Sequence, residues 1–226
     1  MFIRDSNSIF SDEGINWNWS KKLYKELLKV TGGKERLKHY KENFNSKNYH
    51  LDINDISRIH SKKNELYNKW VDEGLLQLRP GIKSLLDNAL KSKIQLAIST
   101  STSLMNVEAL FKKCFEIKPD LIFKVIATGD MVKRKKPDPE LYLLALDQLS
   151  LRPEECIALE DSNNGLISAK RAKLKTICSP SKYHIDDNFE EADFICDDFT
   201  KDKLPPELRQ LIYTCLLYTS PSPRDS

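Results

Sequence analysis

A short apolar run that ends in two acidic residues constrains the fold of this chain more than any other stretch. Residues 156–159 read Cys-Ile-Ala-Leu, which is typical of a strand buried on both faces of a parallel sheet. Glu160 and Asp161 follow at once, residues 162–165 read as a polar turn, and residues 166–172 read as a helix. The two carboxylates are therefore predicted at the carboxyl end of a strand, where open α/β sheets bind ligands.

Adjacent carboxylates at such a strand end suit a hard cation. Mg²⁺ prefers oxygen ligands, keeps several waters and bridges to phosphate, so Glu160 and Asp161 are predicted as its ligands. The alternative is a helix start whose acidic residues interact favourably with the helix dipole. This stretch alone leaves both interpretations open.

The second part of the chain alternates short apolar runs with helical stretches. Strands are predicted at residues 94–98, 121–127, 156–159, 176–178 and 194–196, with helices at 82–90, 104–111, 139–149 and 206–213. This alternation indicates βαβ units and a parallel sheet, hence the α/β class. The first part has no strand pattern, and its helices are predicted at residues 21–30, capped by Ser20, and from Asp52 or Asn54 to about Val71. We therefore expect an α-helical cap over residues 1–77 and an α/β core over 78–213.

Composition narrows the class of protein. The 226 residues are 40% apolar and 31% charged, which indicates a globular chain. Because 36 basic residues nearly balance 33 acidic ones and are scattered, we expect no nucleic-acid partner. No apolar run approaches the roughly 20 residues of a membrane span, and no secretory signal is recognisable, so we expect no membrane association. Five cysteines without CxxC spacing indicate reduced thiols in a cytosolic protein.

Two further strand ends bear polar residues that suit phosphate chemistry. Thr100 and its neighbour Ser101 stand in a Ser/Thr-rich turn whose hydroxyl and N–H groups can hold a phosphoryl oxygen, although an ordinary turn is the alternative. Lys136 stands in Lys-Lys-Pro-Asp-Pro at residues 135–139, where the prolines restrict the backbone and the lysine can neutralise phosphoryl charge. Taken alone, residues 133–136 are better interpreted as a solvated basic run.

The order of these three segments resembles the haloacid dehalogenase (HAD) superfamily of phosphohydrolases, over nearly all of residues 1–200. Thr100 matches the second motif of that superfamily, Lys136 the third, and Glu160 with Asp161 the fourth. Residues 78–82, Leu-Arg-Pro-Gly-Ile, match the re-entry from an α-helical cap into the core. The resemblance implies a HAD-like Rossmannoid parallel sheet with a cap, and Mg²⁺ as cofactor.

Residues 17–24 and 30–36 are similar to the cap of the beta-phosphoglucomutase-like, CbbY-type branch. In that branch a cap arginine and a cap lysine bind the distal phosphate of the substrate, which implies this role for Arg36 and Lys63. The resemblance also implies a Mg²⁺-dependent phosphatase of small phosphosugars, sugar bisphosphates in particular, acting through an aspartyl-phosphate. We expect a monomer in the cytoplasm, or in the plastid stroma if the source is a photosynthetic eukaryote. A phosphosugar mutase and a non-catalytic phosphate-binding or interaction protein remain alternatives.

One departure from the family pattern concerns its first motif, Asp-x-Asp-Gly, which closes the central strand of the family's sheet. The motif does not occur here, and neither Asp5 nor Asp12 stands in such a context. In the family its first aspartate is the nucleophile and its second the acid/base. We therefore expect an N-terminally truncated, inactive chain whose core has a gap and exposed strand edges.

Residues 214–226 resemble a translated sequencing adapter and are interpreted as an artefactual tail.

Overall fold

The computed structural model describes residues 2–44 and 51–213, so the predicted tail and Cys215 lie outside the described residues. Its first part is an N-terminal helical unit with α1 (Phe2–Asp12), α2 (Lys21–Leu27), α3 (Gly33–Phe44) and α4 (Ile53–Asp72). The predicted N-cap is confirmed, because Ser20 accepts a hydrogen bond from the amide of Leu23. Of the two predicted starts of the longer helix, Asp52 is the one that caps it, in a capping box with Asp55. Within the described residues no helix combines the length and apolar character needed to cross a lipid bilayer.

An aromatic cluster forms the centre of the helical unit. Phe10 and Trp19 are almost fully buried, and their ring centroids lie 4.9 Å apart in an edge-to-face arrangement. Trp17 and Tyr40 extend the cluster with a ring separation of 4.8 Å. The aromatic residues belong to a larger hydrophobic core whose buried residues all lie between positions 9 and 59. The helical unit therefore has a hydrophobic core of its own.

The rest of the described chain is an α/β unit of parallel strands covered by helices. Its strands are β1 (Ala97–Ser99), β2 (Val125–Ala127), β3 (Ile157–Glu160), β4 (Lys175–Cys178) and β5 (Phe194–Ile195). Its helices are α5 (Ile82–Lys91), α6 (Leu104–Phe115), α7 (Glu140–Leu149), α8 (Asn163–Arg171) and α9 (Pro206–Tyr213). Because all three strand pairings are parallel, the predicted α/β class is confirmed.

The strands of the α/β unit form two groups rather than one continuous sheet. β1 pairs with β2, and β4 lies between β3 and β5. Among the described residues β1 and β3 do not pair, so each has one edge without a strand neighbour. Ala97 is exposed and Ile157 is 36% exposed, which shows that the prediction of strands buried on both faces was wrong at these positions. An unpaired edge leaves the side chains beside it only partly covered.

The structure also corrects the boundaries of two predicted elements. Residues 162–165 do not form a separate turn, because α8 begins at Asn163 and Ser162 caps it by accepting a 3.2 Å hydrogen bond from the amide of Gly165. The predicted strand over 121–127 is shorter than expected, because Pro119–Leu121 form a 3₁₀ turn before β2 begins at Val125. The earlier start of α8 places its first turn directly beside Glu160 and Asp161.

Candidate active site

Lys136 and Glu160, which belong to separate sequence motifs, form an ion pair at the carboxyl ends of β1 and β3. Lys136 Nζ lies 2.6 Å from Glu160 Oε1 and donates a second hydrogen bond of 2.9 Å to the carbonyl oxygen of Ser99. The two side chains are only 11% and 7% exposed, so the interpretation of residues 133–136 as a solvated run was wrong for Lys136. Because Ser99 ends β1 and Glu160 ends β3, the ammonium group bridges the two groups of strands.

Two residues that the sequence did not single out complete the surroundings of Glu160. Tyr142, from α7, donates its hydroxyl hydrogen to Glu160 Oε1, and its ring centroid lies 4.6 Å from Lys136 Nζ. Burial, followed by the charge of Glu160, raises the pKa of Tyr142 well above its ordinary value. On the opposite side Gly165 leaves room for the carboxylate, since a Cβ there would lie 1.8 Å from Glu160 Oε2. The carboxylate is therefore fixed from several directions.

Asp161 follows Glu160 but has a different environment. Its residue surface is exposed, and among the described residues its carboxylate accepts no hydrogen bond. Surrounding protein groups partly desolvate the carboxylate and raise its pKa, and repulsion from Glu160 adds to this effect. His184, Arg79 and Lys136 act in the opposite direction. Of the two predicted metal ligands, Asp161 is thus the one whose oxygens are open to a further partner.

The turn after β1 contains Thr100 and Ser101 and is rich in buried hydroxyl groups. The amide of Thr100 donates to the carbonyl of Ala127 over 2.9 Å, and its Oγ1 accepts a 3.3 Å hydrogen bond from the amide of Thr102. The hydroxyl oxygens of Ser99, Ser101 and Ser103 are buried and have no hydrogen-bond partner among the described residues. Buried polar atoms are normally paired, so this turn has unused capacity to bind a polar group.

The residues at the strand ends fit a magnesium ion only in part. Mg²⁺ is commonly held through one or two carboxylates together with waters and phosphate oxygens, and Asp161 suits that role. Glu160 is already occupied by Lys136 and Tyr142. Within the described stretches no three His, Cys, Asp or Glu residues are grouped as a metal site would require. Among the described residues, Asp161 would therefore be one ligand of a cation and would not form a complete site with its neighbours.

A cavity of about 330 Å³ lies between the helical unit and the α/β unit. Its lining from the helical unit includes Arg36 of α3 and Lys63 of α4, and its lining from the α/β unit is Thr102 and Asn106. Among the described residues no carboxylate lines the cavity. A space of this size that two cations face, with no acidic group in its lining, suits an anionic ligand. Its volume lies within the range of small-molecule sites.

Arg36 and Lys63 are held differently in the cavity wall. Arg36 donates from Nε to the carbonyl of Leu27 over 3.0 Å and from Nη2 to the carbonyl of Val30 over 3.2 Å, which fixes its guanidinium plane. Lys63 Nζ lies 5.1 Å from the ring centroid of Trp19 and makes no hydrogen bond or ion pair within the described stretches. Burial, with repulsion from Arg36, lowers the pKa of Lys63 to about 8. An anion in the cavity would supply the partner that this ammonium lacks.

His60 lines the same cavity, and the sequence interpretation missed it. It belongs to a polar chain in which Asn106 Nδ2 donates to Asn64 Oδ1 over 3.3 Å and to Thr102 Oγ1 over 2.9 Å, while Asn64 Nδ2 lies 3.5 Å from His60 Nδ1. This chain links α4 to the first turn of α6. The available signal was helical spacing, because His60 stands three residues before Lys63 and so shares its face of α4.

Several polar contacts hold the helical unit on the strand ends. Lys135, next to Lys136, forms a 2.8 Å ion pair with Glu35, next to Arg36. Asn164 Nδ2 donates over 2.9 Å to both the carbonyl of Lys29 and Oγ1 of Thr31. These contacts connect the segments that carry the two groups of candidate residues.

Comparison with known proteins identifies close relatives over most of the chain. A family model described as haloacid dehalogenase-like hydrolase matches residues 6–179. Protein CbbY of Cereibacter sphaeroides is 44% identical over 198 residues, which cover 88% of this chain and 85% of that protein. A CBBY-like protein of Arabidopsis thaliana is 35% identical over 215 residues, covering 90% of this chain and 64% of that protein.

Solved structures agree with these sequence matches. A variant of CbbY from Rhodobacter sphaeroides in complex with xylulose 1,5-bisphosphate is 43% identical, with a TM-score of 0.82 over 88% of this chain and 87% of that one. Beta-phosphoglucomutase from Clostridium difficile is 23% identical, with a TM-score of 0.72 over 92% of this chain and 89% of that one. At that identity the second likeness supports the fold alone.

Proposed function

The chain belongs to the haloacid dehalogenase-like hydrolases and is a homologue of CbbY proteins, and from that premise we propose that it derives from a phosphatase of small phosphorylated sugars, sugar bisphosphates in particular. The supporting observation is that the cavity and the strand-end candidates share one short turn of the chain. Thr102 lines the cavity that contains Arg36 and Lys63, and it stands two residues after Thr100 at the strand ends. A ligand with a phosphate at each end suits such a site better than a monophosphate does.

Each group at the strand ends has a defined task in this proposal. Thr100 and Ser101 bind oxygens of the phosphoryl group that is transferred, through hydroxyl and amide donors. Lys136 neutralises the charge that shifts among those oxygens during transfer, and its ion pair with Glu160 keeps it in place. When bound, Mg²⁺ would add charge neutralisation at the same phosphoryl group, with Asp161 as its ligand and Glu160 beside it.

Arg36 and Lys63 hold the remote phosphate in this proposal, and the helical unit acts as a cap. Arg36 presents a fixed guanidinium plane, which suits bidentate binding of phosphate oxygens. The contacts between Glu35 and Lys135 and around Asn164 keep the cap on the strand ends and limit access of water to the site. Binding energy from the remote phosphate then helps to position the reacting one.

We further propose that the phosphoryl-accepting carboxylate belongs to a strand that fits between β1 and β3. The family's Asp-x-Asp-Gly motif does not occur in this sequence. The two groups of strands do not pair, and Ile157 of β3 is 36% exposed, which is consistent with room for a strand. In the complete enzyme the first aspartate would attack phosphorus to form an aspartyl-phosphate while the second protonates the leaving alcohol, and water would then release phosphate. The chain as given is therefore expected to be inactive.

The test is a phosphatase assay with Mg²⁺ on two forms of the protein. One form is the chain without residues 214–226, and the other also has a family-like strand and Asp-x-Asp-Gly turn at its N-terminus. We expect phosphate release from sugar bisphosphates by the second form only.

The Lys136→Met variant of that form should lose turnover, whereas Arg36→Ala should raise KM for a bisphosphate much more than for a monophosphate. Turnover by the first form would refute the proposed nucleophile, and isomerised sugar phosphate instead of free phosphate would favour a mutase.

A further inference from the structure

The geometry points to a third anion-binding side chain: we propose that His60 binds the same phosphate as Arg36 and Lys63 and does so in its protonated form. The inference rests on the proposed function, because it takes the cavity as the site of the remote phosphate. It adds a residue to that site, and it predicts that phosphate binding is coupled to the uptake of a proton.

The placement of His60 supports a binding role. His60 and Lys63 lie three residues apart on α4, and both line the 330 Å³ cavity together with Arg36. The imidazole lies directly against Gly33, where a Cβ would come within 2.5 Å of His60 Cδ2 and 2.6 Å of Nε2. Any other residue at position 33 would have to displace the ring. The absence of a side chain at Gly33 thus lets the imidazole lie at the cavity wall beside the start of α3.

The charges around His60 disfavour a proton on the ring in the ligand-free protein. The neighbouring cations are Lys34 of α3, Lys63 of α4 and Lys135 of the α/β unit, and the acidic neighbour among the described residues, Glu35, is paired with Lys135 at 2.8 Å. Burial is the largest cause that lowers the pKa of His60 from its ordinary value, followed by these cations. The ring is therefore neutral at pH 7 while the cavity is empty of anions.

A phosphate group in the cavity reverses this balance. An anion beside the imidazole favours the protonated, positively charged ring. Phosphate binding raises the proton affinity of the ring by a certain factor. By linkage, protonation of the ring raises the affinity for phosphate by the same factor. A rise of about one pH unit in the pKa of His60 corresponds to about tenfold tighter binding. Relative to a variant without the imidazole, phosphate affinity should therefore fall as the pH rises through the pKa of His60.

The direct test follows the imidazole signal of His60 by NMR in the full chain. The pH titration is run with inorganic phosphate and again with sodium chloride at equal ionic strength, and the His60→Gln variant assigns the signal. We expect the pKa of His60 to be higher by about one pH unit in phosphate. His39, which lies on α3 outside the cavity and contacts Asn43, serves as an internal control for effects of the buffer. An unchanged His60 titration, or no binding of phosphate, would overturn the inference.

A calorimetric experiment separates binding from simple packing against Gly33. The His60→Gln variant should lose affinity for inorganic phosphate increasingly as the pH falls below the pKa of His60, towards a limit of about tenfold, and should lose none at pH 9. The matched His39→Gln variant should bind as the unaltered protein does at both pH values. An equal loss at both pH values would show that His60 only supports the cavity wall. Neither experiment needs turnover, so failure of the phosphatase assay and failure of this inference are separate results.

Discussion

Replacing Gly165 with alanine tests whether the fixed position of Glu160 determines the stability of the strand ends. Gly165 lies in the first turn of α8, and its missing side chain leaves space for the Glu160 carboxylate. An added Cβ would lie 1.8 Å from Oε2, 2.2 Å from Cδ and 2.7 Å from Oε1 of that carboxylate. Glu160 has little freedom to yield, because Lys136 and Tyr142 hold Oε1 from the other side.

Helix propensity and steric overlap act in opposite directions on the free energy of unfolding of the Gly165→Ala variant. Alanine is favoured over glycine within a helix by about 0.5–1 kcal/mol. Displacing the carboxylate weakens hydrogen bonds to a charged group, worth roughly 1.5–3 kcal/mol each, and overpacking adds about 1–3 kcal/mol. The unfavourable terms are larger, so Gly165→Ala should lower the free energy of unfolding by about 2–4 kcal/mol.

The assay is urea unfolding followed by circular dichroism, repeated in a Glu160→Ala background. Glu160→Ala alone should cost about 3–5 kcal/mol, because it leaves the Lys136 ammonium buried without its partner. In that background the added methyl group meets no carboxylate, and Gly165→Ala should stabilise the protein by about 0.5–1 kcal/mol through helix propensity. Effects of equal sign and size in the two backgrounds would refute the steric argument.

Three further predictions concern neighbouring groups. Tyr142→Phe removes one hydrogen-bond donor from the buried carboxylate of Glu160, so it should lower the free energy of unfolding by about 1–3 kcal/mol. A decrease below about 0.5 kcal/mol in urea unfolding would contradict this prediction. Since the pKa of Lys63 is lowered to about 8, its ammonium loses its proton above that pH, so affinity for inorganic phosphate measured by calorimetry should fall as pH rises past this value. The always-charged Lys63→Arg variant should lack that fall, and the same fall in both proteins would contradict the role of Lys63. The ion pair between Glu35 and Lys135 is partly exposed to solvent. A double-mutant cycle with Glu35→Gln and Lys135→Met should therefore give a coupling energy of about 0.2–1 kcal/mol. A coupling energy above about 2 kcal/mol would show that the ion pair is desolvated far more than its exposure indicates.

Much of the fold could be predicted because its signals are local. The N-cap at Ser20 depends on residues within one helical turn and is present as predicted, and Asp52 is one of the two predicted starts of α4. The strand that ends at Glu160 could be predicted from one apolar run stopped by two acidic residues. Periodicity was less reliable for boundaries: it placed the start of α8 at residue 166, whereas the Ser162 cap places it at Asn163.

The site residues were predicted as separate groups, and their arrangement depends on contacts between distant segments. Lys136 and Glu160 lie 24 residues apart, and no local pattern reveals that they pair within 2.6 Å. Gly165 had no sequence signal of its own, since its importance comes from the position of a neighbouring carboxylate. His60 was missed because a single histidine on a helix indicates no function until the face that it shares with Lys63 is known to line a cavity.

The sequence by itself determined the parallel α/β class and the order of the hydroxyl turn, the lysine and the paired carboxylates along the chain. Only the tertiary structure decided that β1 and β3 do not pair among the described residues, and that Glu160 binds Lys136 while Asp161 stays open. It also decided that Arg36, Lys63 and His60 face one cavity. The physical reason is range: helix caps and apolar periodicity act over a few residues, whereas burial and charge pairing depend on segments that folding brings together.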